Sequence, residues 1–154
     1  MKKVFEFASE QQRSEIALSV LLPFDDRKKS RLKTESEQGE ALGFMLPRGQ
    51  ILRHGTLLVD ELGRVIEVKA AQETVSVVES QDTHLLLRAA YHLGNRHVPL
   101  QVENHRLLYQ HDHVLDDMVK GLGLSVSVQQ QPFEPEDGAY APGTGHHHGH
   151  HHEH

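Results

Sequence analysis

The stretches LLLRAAYHLGN at residues 85–95 and DHVLDDMVKGLG at residues 112–123 decide the fold of this chain. In each stretch apolar residues recur at positions i, i+1, i+4, i+5 and i+8, which is the spacing of one face of an α-helix. Capping and stop residues bound both stretches: Asp82 or Thr83 and Asp112 at the starts, and Gly94, Asn95, Gly121 and Gly123 at the ends. The sequence therefore predicts two amphipathic helices in the second half of the chain.

Four predicted strands surround these two helices. Short runs with β-branched or alternating apolar residues lie at 74–78, 98–102, 106–109 and 124–128. The order of elements is then β-α-β-β-α-β, the ferredoxin-like pattern in which two helices cover one face of an antiparallel sheet.

The first 70 residues predict a small β-rich unit without a helix. Alternating or apolar runs at 16–22, 41–46, 50–59 and 64–69 are separated by turn-forming Pro, Asp and Gly residues. This half also contains one basic cluster, which comprises Arg27, Lys28, Lys29, Arg31 and Lys33. Two interpretations of the cluster stay open: a solvated edge strand whose lysines discourage pairing, or a docking face for another protein.

Together the two halves predict an α+β fold in three segments. Residues 1–71 form a β-rich N-terminal domain, residues 72–139 a ferredoxin-like domain and residues 140–154 a flexible, disordered, histidine-rich tail. Order is expected to fade after Gln131, because Pro and Gly interrupt a polar stretch that has little left to bury.

The composition excludes several classes of function. The chain has 154 residues, of which 37% are hydrophobic, enough for one ordinary domain or two small ones. Because cysteine is absent, disulfides, thiolate zinc sites, iron–sulfur clusters and cysteine nucleophiles are excluded. The formal net charge of −6 argues against nucleic acid as a partner. The basic start, Met1-Lys2-Lys3, is followed by a segment in which Glu6 and Glu10 interrupt any apolar run, and no apolar run reaches about 18 residues. These features predict a cytoplasmic protein without a signal peptide or membrane span.

Histidine is the outlier of the composition, with 14 copies. Seven of them fall in the last nine residues, namely His146, His147, His148, His150, His151, His152 and His154. Neutral imidazole suits nickel, copper, zinc and iron, and a flexible run of imidazoles can wrap a cation in many registers. Gly149 and Glu153 interrupt the run, which favours a native metal-binding tail over a cloning tag.

Four further histidines are candidate metal ligands. His97 lies in the connection between the first helix and the next strand; one loop imidazole holds a metal poorly, but a two-fold dimer would turn it into a facing pair. His111 and His113 flank the predicted N-cap of the second helix, where they form either a secondary exposed metal site or solvated polar residues. His92, beside the apolar stripe of the first helix, is either a ligand or a surface residue. The surface interpretation is preferred for the three remaining isolated histidines, His54, His84 and His105.

No common enzyme motif is present: the chain has no His-Glu-x-x-His, no Gly-x-Ser-x-Gly and no phosphate-binding Gly-x-x-x-x-Gly-Lys-Ser/Thr. Asp116 and Asp117 could suggest a carboxylate pair, but neighbouring helical positions diverge by about 100°. They are expected to be solvent-facing acids near the start of the second helix, where they complement its dipole.

Two motifs resemble the urease accessory protein E family of nickel metallochaperones. These are YHLGNRHVPLQ at residues 91–101 and HDHVLDDM at residues 111–118. The same family is matched by shorter pieces and by the histidine-rich end of the chain; the pieces are KSR at 29–31, LPRG at 46–49, PFEPE at 132–136 and GAY at 138–140. The resemblance spans nearly the whole chain.

The resemblance implies a nickel carrier that is not an enzyme. It implies a β-rich, peptide-binding-like domain followed by a ferredoxin-like metal-binding and dimerisation domain. Ni(II) is expected at the dimer interface between His97 of each chain, with His111 and His113 as peripheral ligands and the tail histidines as further ones. Zn(II) and Cu(II) are expected competitors. The implied partners are a second copy of the chain, the urease-associated GTPase and the urease apoenzyme.

Three functions are consistent with these features. The first is nickel delivery for assembly of the urease active site. The second is storage or buffering of nickel or zinc by a histidine-rich protein without a delivery partner. The third is a metal-dependent hydrolase, which requires an open coordination position and a general base.

Overall fold

The structure is a computed structural model that describes residues 1–138, so the predicted tail and its seven histidines lie outside the described residues. The chain divides into two compact units. The first contains Met1–Val20, Asp25–Val68 and the described residues 137–138, and the second contains Leu21–Phe24 and Lys69–Glu136.

A six-stranded sheet forms the N-terminal half. Its strands are β1 (Lys2–Phe7), β2 (Ile16–Leu22), β3 (Arg31–Glu35), β4 (Ala41–Met45), β5 (Leu57–Asp60) and β6 (Val65–Ala70). They lie in the order β2-β6-β5-β1-β4-β3. β1 runs parallel to β4 and antiparallel to β5. β3 is an edge strand with Arg31 and Lys33 exposed, as the edge-strand interpretation expects for that part of the basic cluster, and a docking face would need the same exposure.

Three expectations for this half are wrong. A 3-10 helix at Glu10–Glu15 and one helical turn, α1 (Phe24–Arg27), interrupt the β structure. The run at 50–59 is a strand only from Leu57. Arg27 is fully buried rather than solvated. Its guanidinium donates to the Leu52 carbonyl, and the Leu52 amide donates to the Arg27 carbonyl. Leu52 lies in the part of the 50–59 run that is not a strand.

The second unit has the ferredoxin-like arrangement. Its elements are β7 (Gln72–Glu79), α2 (Thr83–Asn95), β8 (Gln101–Val102), β9 (Arg106–Gln110), α3 (His113–Gly121) and β10 (Val126–Pro132). The sheet order is β10-β7-β9-β8 and every pairing is antiparallel. The α+β fold class and the β-α-β-β-α-β pattern are therefore confirmed. In the described part of the chain no helix is long and apolar enough to cross a membrane.

Both predicted helices begin at the expected acidic caps. The Asp82 carboxylate accepts from the Leu85 amide at 3.1 Å. The Asp112 carboxylate accepts from the amides of Val114 and Leu115 at 2.8 and 3.2 Å. These bonds satisfy donors that a helix start leaves unpaired. The helices pack on the sheet through a common core of Val78, Leu86, Ala89, Leu93, Leu107, Tyr109, Val119 and Leu124.

The expectation that order fades after Gln131 is wrong for the described residues. β10 continues to Pro132, and Phe133 is fully buried with its ring edge-on to that of Phe24 at 5.6 Å. Farther along, the Glu134 amide donates to the Gln101 side chain at 2.8 Å. The predicted strand at 98–102 is also shorter than expected, since only Gln101–Val102 pair with β9, and Pro99 has no amide proton to donate.

Candidate metal-binding site

The turn after α2 places His97 in an unusual backbone conformation. The His97 amide donates to the Gly94 carbonyl at 3.0 Å, and the Val98 amide donates to the Leu93 carbonyl at 3.3 Å. These two bonds are those of a Schellman motif, in which the residue at the position of His97 takes the left-handed conformation. His97 has a φ of 57° and is the one non-glycine residue with a positive φ among residues 1–138.

Glycine is the usual residue at this position of a helix end, because a side chain there costs about 1–2 kcal/mol. The chain nevertheless carries a histidine whose side chain is exposed. Val98 packs against the core cluster, so the turn is anchored on its inner side while the imidazole stays at the surface. Strained backbone of this kind concentrates at functional sites, which makes His97 the leading candidate ligand.

The exposed surface of α2 carries two large apolar residues, Leu87 and Tyr91, among polar ones. The side chains of Leu87 and Tyr91 are 69% and 67% exposed, and the Tyr91 ring lies edge-on to the His92 ring at 5.2 Å. His92 itself is half-buried. A groove of about 230 Å³ runs beside Leu87, lined by Thr83, Leu86, Leu87, Ala90, Val102, Glu103, Asn104 and Leu107. Leu87 and Tyr91 are four residues apart and so lie on the same side of the helix, where neighbouring exposed apolar residues can take part in an interaction.

A second cluster lies at the start of α3 and consists of Ser76, Tyr109, His111 and Asp116; we call it the Asp116 network. The hydroxyls of Ser76 and Tyr109 each donate to Oδ1 of Asp116 at 2.6 Å. Nδ1 of His111 lies 3.2 Å from Oδ2 of Asp116 and 3.1 Å from the Ser76 hydroxyl oxygen. Ser76 lies on β7 and Tyr109 on β9, and both are fully buried. Their hydroxyls hold the Asp116 carboxylate from two neighbouring strands.

Burial of the Tyr109 phenol, followed by its hydrogen bond to Asp116, raises the pKa of Tyr109 well above its usual range. Tyr109 is therefore a neutral donor under all physiological conditions. With two hydroxyl donors and a ring nitrogen around it, the buried carboxylate has the partners that burial of a charge requires.

The expectation that Asp116 faces solvent is wrong, whereas Asp117 is exposed as predicted. Asp116 lies three residues before the buried Val119 and so shares its inward face. Sequence reasoning missed Asp116, Ser76 and Tyr109 as site residues. A signal was present, since Ser76 interrupts the apolar core of β7, and a polar residue at such a position needs a buried partner.

The remaining candidates within residues 1–138 do not belong to any group of three ligands. His113 is the first residue of α3 and is exposed, and its side chain makes no hydrogen bond to any residue in 1–138. His54, His84 and His105 are exposed, as expected. Among residues 1–138 no group of three or more His, Cys, Asp or Glu side chains is placed to hold a metal ion. A single copy of the described chain thus offers separate histidines rather than a closed metal site.

Comparison with known proteins matches both halves of the chain to one family. The family model described as "UreE urease accessory protein, N-terminal domain" matches residues 5–71, and the one described as "UreE urease accessory protein, C-terminal domain" matches residues 73–154. The chain belongs to the UreE family of urease accessory proteins.

Individual members of the family align over most of their length. The Urease accessory protein UreE of Teredinibacter turnerae is 53% identical over 154 residues, covering 100% of this chain and 99% of the relative. That of Saccharophagus degradans is 53% identical over 148 residues (95% and 88%), and that of Pseudomonas putida strain W619 is 58% identical over 123 residues (79% and 76%). The family is one of accessory proteins rather than enzymes, so the metal-dependent hydrolase considered above is wrong.

Proposed function

We propose that this member of the UreE family is a cytoplasmic nickel metallochaperone that carries Ni(II) and donates it during assembly of the urease active site. The observation that carries the proposal is the exposed imidazole of His97, held in a left-handed turn that glycine would fill with less strain. Family membership supports the urease part of the proposal.

A second copy of the chain completes the site. One imidazole is a weak ligand set, and the described chain offers no cluster of three ligands of its own. The exposed Leu87 and Tyr91 supply an apolar face on the helix that ends at the His97 turn. A two-fold axis near this face would set His97 of one protomer opposite His97 of its partner, since an isologous interface repeats each contact.

Such a site is open by construction. Two imidazoles leave four positions of an octahedral cation for water or for mobile ligands, so a receiving protein can displace the protein ligands one at a time. Ligand type alone does not select nickel, because copper binds imidazole more strongly and zinc competes closely. Zn(II) and Cu(II) are therefore expected to compete, and the receiving partners set the direction of transfer. In this proposal those partners are the urease-associated GTPase and the urease apoenzyme.

The other histidines supply additional capacity. His111 and His113 form a peripheral site at the start of α3, and His92 lies beside the apolar face of α2. The tail histidines, His146, His147, His148, His150, His151, His152 and His154, extend the set outside the described residues. A buffering protein would depend on that tail, whereas delivery depends on His97.

Calorimetric nickel titration of the full chain and of His97→Ala tests the proposal. The variant is expected to lose the tightest binding step while remaining a dimer by sedimentation. His105→Ala is the matched control, because His105 is an exposed histidine of the same unit with no ligand role here. An unchanged tightest step in His97→Ala contradicts the assignment. Deletion from His146 onward should lower stoichiometry and keep that step; loss of the step with the tail would favour buffering.

A further inference from the structure

The Asp116 network determines where the proton of the His111 ring lies. Ser76 and Tyr109 have one hydroxyl proton each, and both protons lie on 2.6 Å bonds to Oδ1 of Asp116. Oxygen–oxygen distances this short are those of hydrogen bonds to an ionised carboxylate. The Ser76 oxygen therefore has no proton left for His111 and can only accept from it.

Both neighbours of Nδ1 of His111 are then acceptors. They are the Ser76 hydroxyl oxygen at 3.1 Å and Oδ2 of Asp116 at 3.2 Å. Nδ1 must carry the ring proton, because two acceptors cannot satisfy an unprotonated nitrogen. In the neutral ring this leaves the lone pair on Nε2, the other nitrogen.

The His111 side chain is more exposed than the Asp116 side chain, as a ligand that must reach a cation at the surface needs to be. The Asp116 side chain is 7% exposed and the His111 side chain is 36% exposed, so the carboxylate lies inside and the ring reaches the surface. A histidine that binds a metal through one nitrogen commonly donates its other N–H to a carboxylate, which fixes the tautomer and the orientation of the ring. Asp116 and His111 stand to each other as such a carboxylate and histidine do.

We propose that Asp116 is a positioning residue that holds His111 in the Nδ1–H tautomer and so prepares Nε2 to bind a divalent cation. The inference rests on the proposed function, in which that cation is nickel and His111 is a peripheral ligand. His113 lacks such support, since its ring makes no hydrogen bond within residues 1–138. The two histidines of the peripheral site are thus unequal, and His111 is the prepared one.

The substitution Asp116→Asn tests this role with little change of volume. The two hydroxyl donors keep the amide oxygen on their side, which turns the amide nitrogen toward Nδ1 of His111. An N–H donor there favours the Nε2–H tautomer and removes the lone pair that would bind the cation. Asp117→Asn is the matched control, because it makes the same charge change one residue away at an exposed position.

The first readout needs no metal. Long-range ¹H–¹⁵N correlation spectra of the full, metal-free chain at pH 8 report which ring nitrogen of His111 is protonated. Wild type and Asp117→Asn are expected to show Nδ1–H, and Asp116→Asn is expected to show Nε2–H. An Nε2–H ring in the wild type overturns the inference, whatever the protein does with nickel.

The second readout is nickel titration by calorimetry in the presence and absence of His111. Asp116→Asn should weaken the binding step that His111→Ala abolishes, by about 10- to 100-fold, the usual effect of losing such a partner. In the His111→Ala background the same substitution should change nothing further. Equal affinity of wild type and Asp116→Asn, or no His111-dependent step in the wild type, overturns the positioning role. The tightest step, which depends on His97, reports on the proposed function separately and should persist in Asp116→Asn.

Discussion

His97 and His111 both lie next to the end of a secondary-structure element, but the chain holds them in different ways. At His97 the backbone is constrained: the residue has a φ of 57° in a turn closed by two hydrogen bonds, and its side chain is exposed. At His111 the side chain is constrained: Nδ1 faces Asp116 and Ser76, which belong to other elements.

The difference separates two ways of preparing a ligand. A strained turn fixes where the ring starts and leaves the ring free to rotate, which suits a ligand that must meet a counterpart from another chain and later let go. A hydrogen-bonded ring has a fixed tautomer and direction, which lowers the cost of ordering it when the cation arrives. Of the two proposed ligands, His97 is positioned by its backbone and His111 by its side-chain partners.

The largest effect on stability is expected from removing the Asp116 carboxylate, the buried partner of His111. Asp116→Ala leaves the hydroxyls of Ser76 and Tyr109 without their acceptor in the core and opens a small void beside them. The two buried hydroxyls without an acceptor and the void together should lower the free energy of unfolding by about 3 kcal/mol.

Urea denaturation at one fixed protein concentration measures this loss, since the stability of the proposed dimer would depend on concentration. Asp117→Ala, which removes an exposed acid from the next position, should stay within about 0.5 kcal/mol of the wild type. Equal losses in the two variants would show that Asp116 is not buried in solution.

If two chains share the proposed His97 site, acid is expected to release nickel from it with a steep dependence on pH. Only the neutral imidazole ring binds a metal, so protons compete with the cation and affinity falls as the pH falls. Where the free rings are fully protonated, a site made of two imidazoles should lose about 100-fold in affinity per pH unit, against about tenfold for a site with one.

Competition with a nickel indicator between pH 5 and pH 7.5 measures this slope for the tightest step. His105→Ala should reproduce the wild-type slope. A tenfold dependence per pH unit would contradict the facing pair and indicate a single imidazole at the site.

The C-terminal fold was predictable because its signals are local. The apolar spacing of residues 85–95 and the caps Asp82 and Asp112 each depend on neighbours within a few residues, and all agree with one topology. The burial of Phe133 was missed for the opposite reason. Its ring partner, Phe24, is far away in sequence, so no pattern in the residues next to Phe133 predicts that it is buried.

The candidate site was predictable in residue type and only partly in geometry. His97 could be picked out by its motif, but its left-handed conformation was not foreseen, because Gly94 looked like the helix stop and the chain instead closes the turn two residues after Asn95. Asp116 was missed because an acid in the first turn of a helix is usually explained by the dipole. Its true partners, Ser76 and Tyr109, lie on strands that only the folded sheet brings under α3.

The smallest predicted effect concerns the backbone of the His97 turn. Both His97→Gly and His97→Ala remove the ring, so both should lose the tightest nickel step equally. They should differ in stability, because glycine adopts a positive φ without strain and alanine does not. His97→Gly is therefore expected to be about 1 kcal/mol more stable than His97→Ala, and more stable than the wild type as well. Thermal unfolding of the metal-free proteins at equal concentration measures the difference, expected at a few degrees in Tm.

Arg96→Ala and Arg96→Gly are the control pair. The backbone of Arg96 is near-helical at a φ of −94°, so at this position the glycine variant should be the less stable of the two. Equal stability of the glycine and alanine variants at position 97 would show that the left-handed turn is not the conformation in solution. The backbone strain at His97, and with it the contrast to the hydrogen-bonded ring of His111, would then be wrong.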